Sequence, residues 1–207
     1  FVGQGERTPE GNTGAKEEAL EITEEIYNTI EKYSEDLEVA TRADDLARIA
    51  KKGKHAIYIG MENGYPIGTD PGLLDMYYEK GIRYVTLVHT RNNDLCDSST
   101  DSLEHGGLSP LGEEVVKRMN DLGMLIDVSH ASDDSFYDVI ERSRTPIIAS
   151  HSCARAICDN PRNLSDEMLQ GFLWIFAVAA GKYMAQVSAE FPLFLNKMDG
   201  EALFGEG

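Results

Sequence analysis

The sequence predicts an α/β fold built on a parallel sheet covered by helices. Two observations carry that prediction. Short apolar, β-branched runs recur along the chain, each followed by a loop and then a helical pattern. The helices are also well punctuated, with serines ahead of them and glycines behind. Continuous apolar strands of this kind are those of a sheet buried on both faces. Right-handed crossovers then leave two common architectures, a doubly wound sheet or a (β/α)8 barrel. No Gly-rich phosphate fingerprint follows any strand, which weakens the dinucleotide-binding version.

Residues 1–14 are rich in Gly, Thr and polar groups and read as a loop. Ala19, Ile22, Ile26, Ile30 and Tyr33 recur at helical spacing, which predicts an amphipathic helix from Ala15 to Tyr33. Thr41 starts a shorter helix, with Asp44 as its capping-box partner and Gly53 as its stop. The strand candidates are 56–59, 84–88, 124–128, 146–149 and 183–187. Between them, one helix runs from Pro71 to Lys80 and stops at Gly81. Another has Ser109 as N-cap, Pro110 in its first turn and Gly123 behind it. A third begins at Ser132, with Asp133 and Asp134 where the helix dipole favours acids, and a fourth at Ser165.

At 207 residues the chain is long enough for one good core or for most of a larger domain. A net charge of −17 repels phosphate backbones and argues against nucleic-acid partners. The longest apolar run, Gly171 to Gly181, is about half of what a bilayer requires and reads as a buried helix, so no membrane span is expected in this chain. Cys96, Cys153 and Cys158 are too few and too unevenly spaced for a disulfide framework. Free thiols suit a reducing, cytoplasmic compartment, with one bridge and export left open.

The chemistry lies in what ends each strand. The first run is followed by Glu62, the second ends at His89, the third at His130 and the fourth at His151. In β/α proteins the C-terminal edge of the sheet is where residues from several strands converge. Zinc takes imidazole nitrogen and carboxylate oxygen, so the set is a metal-site candidate. A lone histidine at a sheet rim is usually only a polar residue. His55 and His105 fit that plainer reading, one preceding a strand and one within a loop. Asp127, inside an apolar strand, needs buried partners; it either orients a ligand histidine or is a satisfied structural carboxylate.

These residues sit in segments that resemble the membrane (renal) dipeptidase family of zinc peptidases. The matching pieces are 59–64 (IGMENG), 86–89 (TLVH), 106–112 (GGLSPLG), 123–130 (GMLIDVSH), 146–152 (PIIASHS) and 162–166 (RNLSD). The likeness is strong from about residue 55 to 170 and extends plausibly to Phe1. It implies a (β/α)8 TIM-type barrel of the metal-dependent hydrolase kind with two zinc ions. By the same resemblance Glu62 bridges both metals, and His130 and His151 bind the second. His89 contacts substrate and steadies the oxyanion, and Arg162 holds the substrate's terminal carboxylate.

The activity implied is hydrolysis of dipeptides by a hydroxide bridging the metals, and a homodimer is compatible with it. The family's early His-x-Asp pair and its late Asp-Phe-Asp-Gly segment are not found in this sequence. The expectation is therefore a single domain over 1–207, an incomplete central portion of the barrel lacking the first and last strands. The alternative is a truncated or degenerate relative that binds peptide or a partner without catalysis. A metal-independent barrel lyase would need a strand-end lysine for a Schiff base, whereas Lys182 precedes its strand.

Overall fold

The computed structural model describes residues 1–172. Helix α1 spans Pro9–Lys32, followed by strand β1 (Leu37–Val39), α2 (Ala43–Ala50), β2 (His55–Ile57) and β3 (Ile59–Glu62). After a short 3-10 turn at Tyr65–Ile67 come α3 (Leu73–Glu79), β4 (Ile82–Thr86) and α4 (Pro110–Leu122). Strand β5 (Leu125–Asp127), α5 (Asp133–Arg142) and β6 (Ile147–Ile148) complete the series, and residues 166–172 are helical. β1 and β2 form a two-stranded parallel sheet; β3, β4, β5 and β6 form a four-stranded parallel sheet in that spatial order. Spatial order thus follows chain order throughout the larger sheet. A doubly wound sheet reverses direction at a switch point, whereas a barrel advances one way. The described residues are an arc of a (β/α) barrel.

The register explains which side chains face where. Met61, Val85, Ile126 and Ile147 lie in one row across the four strands, and each is no more than 4% exposed. They join Tyr77, Val116, Met119, Phe136 and Val139 from the helices in one core. Strand side chains alternate, so the next row points the other way. That row is Glu62, Thr86, Asp127 and Ile148. The described helices therefore bury one face of the sheet, and the other carries polar groups. Tyr84 belongs to this second face, and its ring lies so close over Gly60 that a Cβ there would stand 2.0 Å from it. Only glycine fits that approach.

The punctuated helices form where their caps stand. Ser109 Oγ accepts from Gly112 N–H at 3.0 Å, and Gly123, at φ +73°, closes α4 in the left-handed region. Ser132 Oγ accepts from Ser135 N–H at 3.1 Å. The Ser165 hydroxyl accepts from Met168 N–H at 3.2 Å. Other boundaries differ from the sequence expectation. α1 begins at Pro9 rather than Ala15, because Thr8 caps it by accepting from Gly11 N–H at 3.1 Å. In α2 it is Asp45, not Asp44, that reaches back, accepting from the N–H groups of Thr41 and Arg42 at 2.9 Å each. The run 56–59 is split at Tyr58, with residues on either side serving different sheets. Strand β1 was not anticipated; three residues are too few for a periodic signal. The expected strand at 183–187 lies outside the described residues, as does all but the start of the Gly171–Gly181 run.

The long β4–α4 connection is ordered by buried polar groups as well as by the core side chains Leu95 and Leu108. Asp97 accepts from the N–H groups of Glu104, His105, Gly106 and Gly107 at 2.8–3.2 Å. Asn93 donates to Leu87 O at 2.8 Å and to Asn63 Oδ1 at 3.2 Å, which ties the loop to the end of β3. Such side chains supply the partners that buried loop backbone cannot find in a sheet.

Candidate metal centre

Sheet register delivers the site. Glu62, Thr86, Asp127 and Ile148 form one row, and His89, His130 and His151 each stand three residues beyond a member of it. The three histidines therefore leave neighbouring strands at the same level and turn toward the same carboxylate. His130 does so from the left-handed region, at φ +71°, a conformation costly for a side chain with a Cβ. Its backbone is held there on both sides: His130 O accepts from Ser99 N–H at 2.8 Å, and Ala131 N–H donates to Val128 O at 3.2 Å.

The polar atoms converge tightly. Glu62 Oε1 lies 3.1 Å from His151 Nε2 and 3.5 Å from His130 Nε2, and those two nitrogens are 3.0 Å apart. His89 Nε2 is 3.6 Å from the same oxygen, and its ring centroid lies 4.1 Å from that of His130. Tetrahedral zinc with ligand bonds near 2 Å holds its donors about 3.3 Å apart. The Glu62–His130–His151 triangle matches that edge length, and these three are the group among the described residues whose donor atoms could share one ion.

The electrostatics favour the same use. Burial, reinforced by the nearby Arg162 guanidinium, pushes His130 down to about 3. Burial also lowers His89, more than the Glu62 charge raises it. Both rings are neutral near pH 7, so Glu62 beside His130 is a carboxylate facing an imidazole and not an ion pair. A neutral imidazole has the lone pair that a metal requires. His130 Nδ1 is buried with no hydrogen-bond partner among the described residues.

Asp127 is completely buried and serves the neighbouring histidine rather than the one in its own segment. Its Oδ1 accepts from Ser129 N–H and Ser150 N–H, both at 3.0 Å. Its Oδ2 accepts from Thr86 Oγ1 at 2.7 Å and Ser150 Oγ at 2.5 Å. Burial pushes this carboxyl up, but those hydrogen bonds outweigh it and leave the group below its ordinary value. Ser150 Oγ in turn lies 2.7 Å from His151 Nδ1, and Ser129 Oγ accepts from His151 N–H at 3.1 Å.

Arg162 sits beside this cluster. Its Nη1 donates to Ser152 Oγ at 3.0 Å and its Nη2 to His151 O at 3.2 Å. Burial lowers its guanidinium from the ordinary value, against the pull of Asp127 and Glu62. Arg155, which sequence reasoning passed over, does most of the bracing of the following loop. It pairs with both oxygens of Asp133 at 2.8 and 2.9 Å and donates to Asn163 O at 2.8 Å. His55 opens β2 away from the cluster, and His105 Nε2 contacts Asn93 O at 2.9 Å, so both keep the plainer role expected of them. Ser150, Ser129 and Tyr84 were also missed. The signal for the two serines was visible as a Ser directly before each of two strand-end histidines.

Comparison with known proteins points to one family. A family model described as membrane dipeptidase (peptidase family M19) matches residues 4–173. Dipeptidase tcpJ of Claviceps purpurea is 39% identical over 145 residues, covering 70% of this chain and 34% of that protein. Dipeptidase 3 of Rattus norvegicus is 41% identical over 157 residues, covering 73% and 31%. The solved structure of the probable dipeptidase PvdM from Pseudomonas aeruginosa superposes with a TM-score of 0.76 at 38% identity, over 80% of this chain and 43% of that one. The chain spans about a third of the length of the curated relatives it matches.

Proposed function

Because this chain belongs to the membrane dipeptidase family, peptidase family M19, we propose that the protein it forms is a zinc-dependent dipeptidase whose metal is held by Glu62, His130 and His151. The observation that supports this reading is the convergence of one carboxylate oxygen and two imidazole nitrogens within 3.0–3.5 Å of one another. Bound zinc would polarise a scissile carbonyl and lower the pKa of a water.

This chain's own residues do the rest. Glu62 has a second carboxylate oxygen, which suits it to span two ions as the family resemblance implies. The His89 ring lies beside that of His130, its Nε2 3.6 Å from the same carboxylate oxygen. A donor there can steady negative charge developing on a carbonyl oxygen. Arg162 offers a planar fork next to the cluster and pairs with the free carboxylate of a short peptide. Its bonds to Ser152 and His151 O fix the fork relative to the metal ligands, so distance from carboxylate to scissile bond becomes a length gauge. Such a gauge selects dipeptides over longer chains.

The test is metal content and dipeptide hydrolysis of the full-length protein, parent against His151→Ala. Both should fall together while the circular dichroism spectrum is retained. Full activity with that ligand missing would sink the reading, and a parent that neither binds zinc nor hydrolyses dipeptides would favour the non-catalytic alternative.

A further inference from the structure

We infer that Ser150 is a positioning residue that passes the charge of Asp127 to His151 and so fixes which ring nitrogen of His151 is left to bind metal. The inference rests on the metal reading above but can be judged apart from it.

The argument is one of counting protons. Asp127 receives two backbone N–H groups and the Thr86 hydroxyl, a donor set that holds a buried carboxylate ionised. An ionised carboxylate can only accept. The single proton of the Ser150 hydroxyl must therefore point to Asp127 Oδ2, 2.5 Å away. Ser150 Oγ then has only lone pairs for its other neighbour, His151 Nδ1 at 2.7 Å. That contact is a hydrogen bond only if Nδ1 carries the proton and donates it. In the neutral ring the lone pair is then on Nε2, the atom that faces Glu62 Oε1 at 3.1 Å and His130 Nε2 at 3.0 Å.

Metal-binding histidines commonly donate their second ring N–H to a carboxylate. Here a serine hydroxyl stands between the two. The sheet explains why: Asp127 is in the register row on β5, and His151 lies three residues beyond that row on β6, out of reach of a direct bond. Ser150, immediately before His151, fills the gap. Its own N–H also binds Asp127, so residue 150 holds the carboxylate by two bonds. Ser129 Oγ anchors the His151 backbone independently, so loss of the Ser150 hydroxyl should release the ring and not the chain.

The experiment uses the full-length protein stripped of metal, with 15N-labelled histidine. In the parent, the His151 nitrogen shifts, assigned by their loss in His151→Ala, should report the Nδ1–H tautomer; an Nε2–H tautomer overturns the inference without any variant. Zinc affinity is then measured by competition with a chromogenic chelator. Ser150→Ala should weaken zinc by roughly 10- to 100-fold, the usual cost of losing such a partner, and should mix the two tautomers. Ser150→Thr keeps the hydroxyl and should restore both. Thr86→Val removes a different donor from Asp127 and should cost clearly less; an equal loss would mean general loosening and would overturn the relay. Unchanged zinc affinity in Ser150→Ala would overturn it as well. If the parent binds no zinc, the metal reading fails, while the tautomer in the metal-free parent still decides the relay.

Discussion

His130 Nε2 and His151 Nε2 face each other at 3.0 Å, and both are turned toward Glu62 Oε1. Three atoms that can each offer a lone pair to a metal meet in one small space, and burial keeps His130 from bringing a positive charge to it. Without an ion their lone pairs oppose one another. A cation resolves that opposition, and its removal should leave an electrostatically uncomfortable site.

Glu62→Gln tests this directly. The substitution keeps the shape and adds donors. In the metal-free full-length protein it should leave thermal stability unchanged or raised. In the parent, zinc at a hundredfold excess over its dissociation constant should add about 2.7 kcal/mol. That increment should disappear in Glu62→Gln. Calorimetry with and without zinc reads both effects, and a retained increment would remove Glu62 from the ligand set.

Acid sensitivity follows from His130. Its folded value, about 3, lies below the unfolded imidazole value near 6.5, so the unfolded chain binds the extra proton first. The sign is that stability is lost as pH falls from about 6.5 toward 3. Asp127, depressed in the fold, acts in the same direction, its contribution present above the ordinary carboxylate range and lost as pH drops through its folded value. Denaturant unfolding of the metal-free protein between pH 7 and 4 should show a slope that His130→Gln reduces. An unchanged slope would mean that His130 is not held neutral by the fold.

Arg162→Lys should raise KM for a dipeptide with a free carboxylate, since a point charge cannot replace a bidentate fork. The same dipeptide amidated at its C-terminus should be a poor substrate for the parent and lose little more on mutation. Equal losses on both substrates would make Arg162 a brace for the 151–162 loop, a role its bonds to Ser152 and His151 O also suit.

Gly60→Ala should destabilise by roughly 1–3 kcal/mol through overlap with the Tyr84 ring. Tyr84→Ala should remove most of that cost in a double variant, although it loses packing of its own. A double-mutant cycle by chemical denaturation measures the coupling, and additive effects would show that the close approach is relieved elsewhere.

Much of this site was legible because strand ends are where local and global signals coincide. Glu62, His130 and His151 each terminate an apolar run, and in a parallel sheet those ends share one edge. Ser109 and Ser132 were legible for the same kind of reason, since a capping serine and its helix are neighbours in sequence. What stayed hidden depends on neighbours that are remote in sequence. Asp127 was expected to serve either a ligand histidine or its own burial. It does both, and its histidine is His151, reached through Ser150 just past the end of the next strand. Tyr58 divides what reads as one strand because residues on either side pair with different sheets, which no local pattern encodes. The Thr8 cap was readable in principle, but Gly11, Asn12 and Gly14 behind it are poor helix formers and masked the start of α1.

The common spacing of His89, His130 and His151 from one hydrogen-bonded row has a consequence for how this chain can change. The outer helices and their far-side turns can lengthen or shorten without moving the row, because backbone pairing within the sheet holds it. A single insertion between Asp127 and His130, or between Ile148 and His151, would instead swing an imidazole out of the triangle while leaving the paired row of the sheet in place. Tolerance to indels should therefore be graded by side of the barrel, with near-zero tolerance in two stretches of only two residues each, 128–129 and 149–150.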